Sequence, residues 1–319
     1  MSPYRPPFWL RGAHRQTLWP TLFRRVRDVQ YIRERLELSD GDFLDLDWSR
    51  TGFDRVVLVA HGLEGSSQGV YVRGLVRALC RRKWDVVAWN LRGCSGEPNR
   101  LPRSYHSGAS EDLAAVVERV ERLGYRKIAV AGFSLGGNLT LKFLGEGNPV
   151  ASRVAAGVGV SVPCDLRGAA ERLSRPECAF YLRRFLRTMI ARMSGKRRQF
   201  GAGFPEVNPE LIRSFRDFDD QFTAPLHGFH DAADYWSQCS SLRFLSGIRV
   251  PSLILSAGDD PFLSAECIPL DAKKTNSCLT VEVPKWGGHV GFVGGGAVAS
   301  EYWSETRIAN FLEESVRAD

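Results

Sequence analysis

Residues 128–139 read IAVAGFSLGGNL, an apolar run that meets Gly132-Phe133-Ser134-Leu135-Gly136 and passes into a helix-forming stretch. The pattern Gly-x-Ser-x-Gly can mark a nucleophilic serine, but Gly65-Ser66-Ser67-Gln68-Gly69 fits it equally well. Context separates the two. A nucleophile elbow needs its serine on a strained turn that joins a strand directly to a helix, with glycines on either side because a Cβ there would strike the neighbouring strand and helix. Ser134 meets that demand: the run Lys127 to Ala131 ends at Gly132, and Leu135 to Leu144 continues as a helix. The run before Ser67 ends near Ala60, too early for a direct turn. Ser134 is the expected nucleophile, and Gly65 to Gly69 is read as a loop.

Outward from this elbow, short and continuously apolar runs recur at 56–60, 86–89, 154–162 and 253–255. Such runs suit parallel strands buried on both faces. Between them, Val70 to Arg82 and Leu113 to Leu123 space their apolar residues by three and four. The second is expected to open on a Ser110 cap, with Glu111 and Asp112 facing the helix dipole. Alternating strand and helix imply right-handed crossovers and a mostly parallel, doubly wound sheet. Val29 to Leu38 and Phe43 to Trp48, split by Ser39-Asp40-Gly41-Asp42, predict an N-terminal antiparallel hairpin at its edge. The alternation stops at Pro163 and resumes at Pro251. We therefore expect a core domain of residues 1–162 and 246–319, with 163–245 inserted as a helical lid.

Composition narrows the class. The chain has 319 residues, 44% hydrophobic and 25% charged, as expected of a globular protein with a substantial core. No segment approaches the roughly 18 apolar residues of a membrane span, and the first residues lack the apolar stretch of a signal peptide, so a cytoplasmic location is expected. Seven scattered cysteines with no Cys-x-x-Cys pair indicate neither a disulfide framework nor a zinc site. No nucleotide fingerprint, metal-ligand constellation or nucleic-acid module stands out, and no cofactor is expected. Net charge is +7, and residues 175–198 alone hold eight basic residues against one acid, Glu177.

A serine hydroxyl needs a base to take its proton and a carboxylate to orient that base, here in the chain order serine, acid, histidine. Of six histidines only His289 follows the last strand-and-acid candidate, and Gly287-Gly288 before it supplies a flexible turn. His61 is expected to shape its loop, His106 to make a structural hydrogen bond, and His227 and His230 to lie on the surface or in the lid. Asp259 and Asp260 both follow the 253–255 run, and their position before Pro261 favours Asp260 as the orienting acid. Oxyanion donors are expected from the main-chain N–H groups of Leu135, the residue after the nucleophile, and of Leu63 in the His61-Gly62-Leu63-Glu64-Gly65 loop.

These residues resemble the α/β-hydrolase superfamily, and within it the YheT-like esterases, whose eukaryotic relatives include medium-chain acyl ester synthases and animal lipases. The resemblance runs nearly end to end. It also rests on His14-Arg15-Gln16-Thr17, Asn90-Leu91-Arg92-Gly93-Cys94-Ser95-Gly96, Tyr105-His106-Ser107-Gly108, Asp219-Asp220, Asp234-Tyr235-Trp236 and Gly287-Gly288-His289-Val290-Gly291-Phe292. It implies a Ser134–Asp260–His289 triad, a helical lid and action on small carboxylic esters with short- to medium-length acyl groups. The same triad also serves acyl transfer to an alcohol, and a third reading is a binding protein on an inherited scaffold. Within the insertion, Leu182, Phe185, Leu186, Met189, Ile190 and Met193 fall at helical spacing, with Arg183, Arg184, Arg187 and Arg192 largely elsewhere. That pattern predicts a helix packing on the core with solvated arginines, and it is compatible with weak contact with anionic lipid.

Overall fold

The computed structural model describes residues 4–294 and 301–317. Eight strands form one sheet: β1 (Ile32–Glu37), β2 (Phe43–Ser49), β3 (Arg55–Ala60), β4 (Asp85–Asn90), β5 (Lys127–Phe133), β6 (Val154–Val160), β7 (Ser252–Leu255) and β8 (Leu279–Glu282). Their spatial order is β1-β2-β4-β3-β5-β6-β7-β8. The first hairpin is antiparallel and β2 meets β4 antiparallel, while every later pairing is parallel. The α/β-hydrolase architecture with an antiparallel N-terminal edge is thus present.

Helices cover both faces, as parallel pairing requires. Along β3, Val56, Leu58 and Ala60 enter one core with α3 (Ser110–Arg122) and α4 (Leu135–Gly145). The alternate Val57 and Val59 enter the other with α2 (Val70–Cys80) and α11 (Trp303–Arg317). The remaining helices are α1 (Ala13–Phe23), α5 (Leu166–Leu173), α6 (Ala179–Phe200), α7 (Phe215–Phe218), α8 (Ala224–His227), α9 (Ala232–Cys239) and α10 (Ala272–Thr275). Between Val160 and Ser252 there is no strand, and α5, α6, α7 and α9 bury their own apolar cluster against Phe262. No helix among the described residues is long and apolar enough to cross a membrane. All seven cysteines are free thiols.

One local expectation is corrected. Ser110 does not cap α3; the cap position is Ala109, and the Ser110 hydroxyl instead receives the Lys142 ammonium at 3.1 Å. Glu111 and Asp112 both lie in the first turn of α3 as expected, and Asp112 is in addition buried in a fork with Arg92, whose guanidinium also holds Asp40 and Asp42. A buried carboxylate takes the strongest donor in reach, and that donor comes from a loop 20 residues away in sequence. The Asn90-to-Gly96 segment is therefore structural in part. Arg92 ties it to α3 and the hairpin turn, while the Asn90 amide holds Asp47 and receives the Ser67 N–H.

Candidate active site

Ser134 stands between β5 and α4 at φ 51°, ψ −118°, a conformation that costs an L-residue on the order of 1–3 kcal/mol. Backbone packing enforces it. A Cβ on Gly132 would lie 2.1 Å from the Gly136 carbonyl oxygen, and one on Gly136 would lie 2.4 Å from that of His61, so only hydrogen fits at either place. The Ser134 N–H is held by the Val160 carbonyl of β6 at 2.8 Å.

The loop after β3 lies against this turn, since a Cβ on Gly62 would come within 3.2 Å of the Ser134 Cβ. Two interactions set its path. The His61 ring bridges the Gly62 carbonyl and the Leu91 N–H, and burial lowers its pKa to about 4, which keeps it neutral. Tyr105 donates to the Glu64 carboxylate and accepts from the Glu64 N–H, holding Glu64 at φ 53°. Leu63 and Leu135 both line the cavity with Ser134, and among the described residues no acceptor engages either main-chain N–H.

His289 arrives from the other side on a loop beyond β8. Its Nδ1 lies 2.9 and 3.1 Å from the two carboxylate oxygens of Asp260, whose Oδ1 also accepts the Phe262 N–H. Asp259 points elsewhere, accepting the Gly288 N–H at 2.8 Å. The loop is clamped by α1: the His289 N–H donates to Thr17 Oγ1 at 2.9 Å, and the Val293 N–H donates to the Gln16 amide oxygen. Gly288, at φ 55°, would place a Cβ 2.5 Å from the Ala13 carbonyl. Phe262 packs on the imidazole at 4.2 Å between centroids. Ser134 makes no side-chain hydrogen bond among the described residues; it and His289 share the cavity wall. In ligand-free sites that bond is often long and tightens with substrate.

Ser67, in the rival pattern, is buried away from this cavity with its hydroxyl on the Asp47 carboxylate. The cavity itself holds about 140 Å³, the order of size that accepts a benzene-sized guest, and is walled mainly by apolar residues such as Leu166, Phe185, Met189, Phe218 and Phe222.

One side chain departs from expectation. Arg192 is not solvated: it reaches Glu64 at 3.2 Å and stacks over Tyr105, because its position on α6 faces the core rather than water. His227 lies half-buried in α8 of the inserted segment, and His106 makes a structural hydrogen bond as expected, accepting the Gly108 N–H. Both line the cavity, with ring centroids 4.4 Å apart. Asp219 also lines it, from a π-helical turn spanning Asp219–Thr223. Their motifs were visible in the chain, but nothing in local spacing showed that they converge.

Burial raises the Asp219 carboxyl from its ordinary 3.8 to about 7, with Trp236 and Thr223 as its hydrogen-bond partners. A raised carboxyl pKa means that the fold favours the proton. The stabilisation is complete below the ordinary value and disappears as pH climbs through about 7. Asp219→Asn mimics the protonated acid. Its stability relative to wild type is expected to grow across this window, by at most about 1.4 kcal/mol per pH unit, and then level off. Urea unfolding at a series of pH values checks this, and a pH-independent difference contradicts it.

Comparisons with known proteins follow the same line. A family model described as alpha/beta hydrolase fold matches residues 55–295. YheT of Escherichia coli K12, named as an esterase, is 38% identical over 315 residues, covering 96% of this chain and 92% of its own. Mouse phospholipase ABHD3 is 30% identical, covering 92% of this chain and 74% of its own. Among solved structures, the Pyrococcus furiosus esterase Pf2001 superposes with a TM-score of 0.60 at 19% identity, over 90% of this chain and 91% of its own.

Proposed function

The chain belongs to the α/β-hydrolase family and is an esterase- or lipase-like carboxylic ester hydrolase, and from that premise we propose that it works through an acyl-enzyme on Ser134, with His289 as base and Asp260 orienting it. The observation that carries this reading is the Asp260–His289 hydrogen-bonded pair opening on the same cavity as a serine on a strained strand-to-helix turn.

Asp260 accepts from Nδ1–H, which leaves the Nε2 lone pair free to take the Ser134 proton as Oγ attacks the ester carbonyl. Negative charge then develops on the carbonyl oxygen, stabilised by the Leu63 and Leu135 N–H groups, each typically worth about 10²–10³ in turnover. Collapse breaks the ester C–O bond, and His289 returns its proton to the departing alcohol. Water, deprotonated by the same imidazole, then releases the acid and restores Ser134. The apolar wall of the cavity supports short- to medium-chain acyl groups, with residues 163–245 acting as the lid that excludes bulk water.

Hydrolysis of nitrophenyl esters of graded chain length, with a competing alcohol present, tests this. Free acid as the sole product supports hydrolysis, whereas a new ester points to acyl transfer. Failure of folded protein to react with a fluorophosphonate would favour a non-catalytic binding role.

The α1 clamp yields a further expectation. Thr17→Val removes the acceptor of the His289 N–H and is expected to lower kcat about fivefold with little change in KM, since one neutral hydrogen bond is worth about 1 kcal/mol. Thr17→Ser, which keeps the oxygen, should recover most of that loss. Steady-state kinetics with circular dichroism as the folding control checks both.

A further inference from the structure

One wall of the cavity is polar in a way that the proposed chemistry does not use. His106 accepts the Gly108 N–H at Nδ1, 3.2 Å away, so its neutral form carries the proton on Nε2. That N–H has no partner among the described residues, and neither nitrogen of His227 has one. The Ser104 hydroxyl, two residues before His106 in the chain, is buried without a hydrogen bond, and Ser104 lines the same cavity. Phe229 and Tyr235 pack edge-on against His106, which keeps the ring from turning elsewhere.

The Ser104 hydroxyl is a buried group whose unmet hydrogen bond costs on the order of 1–3 kcal/mol, and the two imidazoles, 4.4 Å apart on the same cavity, offer ring nitrogens with no protein partner among the described residues, an arrangement that a ligand would satisfy. The set has particular chemistry: one imidazole N–H donor, a second imidazole offering both a donor and a lone pair, and a hydroxyl able to do either. A carbonyl accepts only and would leave the lone pair unmatched. A cation is disfavoured by Arg103 and Arg92, which act on both rings. A carboxylate would have to be desolvated against neutral donors, because burial depresses both imidazole pKa values to about 3. Free hydroxyl groups both donate and accept at no cost in charge.

We propose that His106, His227 and Ser104 form a hydroxyl-recognising subsite, so that the preferred ligands are uncharged amphiphiles bearing free hydroxyls, such as polyol esters with an apolar chain. This rests on the cavity being the substrate site, but its test does not need turnover. Two non-hydrolysable probes of equal length, 1-O-hexylglycerol and hexyl propyl ether, share an apolar tail and differ in their hydroxyls. Calorimetry on wild type is expected to show the glycerol ether binding at least about tenfold tighter, the discrimination one good hydrogen bond supplies. His227→Phe keeps the ring and removes no hydrogen bond within the protein. It should erase that preference and leave hexyl propyl ether affinity within about twofold. His227→Gln, which retains a donor and an acceptor, should recover part of it. Equal wild-type affinities for the two probes overturn the subsite, as does a His227→Phe loss that is the same for both. If fluorophosphonate labels the protein but discrimination is absent, the subsite alone fails; if discrimination is present without labelling, the proposed reaction fails and the subsite stands.

Discussion

Ser134→Ala is expected to lower kcat on a nitrophenyl ester by at least about four orders of magnitude and to abolish fluorophosphonate labelling, while leaving unfolding stability nearly unchanged. The size follows from what is removed. Without Oγ no acyl-enzyme forms, and water must attack in one step, aided only by the oxyanion donors and by positioning. The fold should tolerate the change because alanine keeps the Cβ that packs at Gly62, and the φ of 51° is imposed by Gly132, Gly136 and the bond to Val160 rather than by the hydroxyl. Residual activity within tenfold of wild type would mean that another nucleophile does the work.

The second large effect is expected at the acid. In Asp260→Asn the amide can still accept the Phe262 N–H, but an NH2 group then faces His289 Nδ1 and favours the tautomer with its proton on Nε2. That tautomer cannot take a proton from Ser134. A fall of about 10⁴ in kcat is expected near neutral pH, with KM much less affected. Asp259→Asn is the matched comparison, because asparagine can still accept the Gly288 N–H through its oxygen, and its loss should stay within about tenfold. If the two variants exchange these outcomes, the orienting acid is Asp259. Measuring kcat and KM for both, with melting temperatures as control, decides between them.

Much of this architecture is legible in the chain because it depends on local physics. Valine-rich runs with glycine turns have few ways to bury themselves other than a parallel sheet, and β3 shows the outcome, with alternate residues entering opposite cores. The choice of Ser134 over Ser67 rested on distance from a strand end, and the structure gives Ser67 a buried hydrogen bond to Asp47. The local rule for helix starts places Asp112 correctly in the first turn of α3, but it does not show the buried Arg92 guanidinium, whose pairing outweighs a dipole effect of about 0.3–1 kcal/mol. Arg192 failed for a related reason. Periodicity identifies which residues share a helix face, but not that a loop will bring Glu64 and Tyr105 to meet that face.

By itself, then, the order of residues determined the strand-helix alternation and the strained elbow, since hydrophobic period and the missing Cβ of glycine act within a few residues. It also limited the candidate base to one histidine and the candidate acid to two neighbouring carboxylates. Only the tertiary structure decided that α1 grips the His289 loop, that Asp260 rather than Asp259 meets the imidazole, and that His106 and His227 share a cavity wall. Those pairings join residues far apart in the chain, and their energies exist only once the sheet and its helices have closed around them.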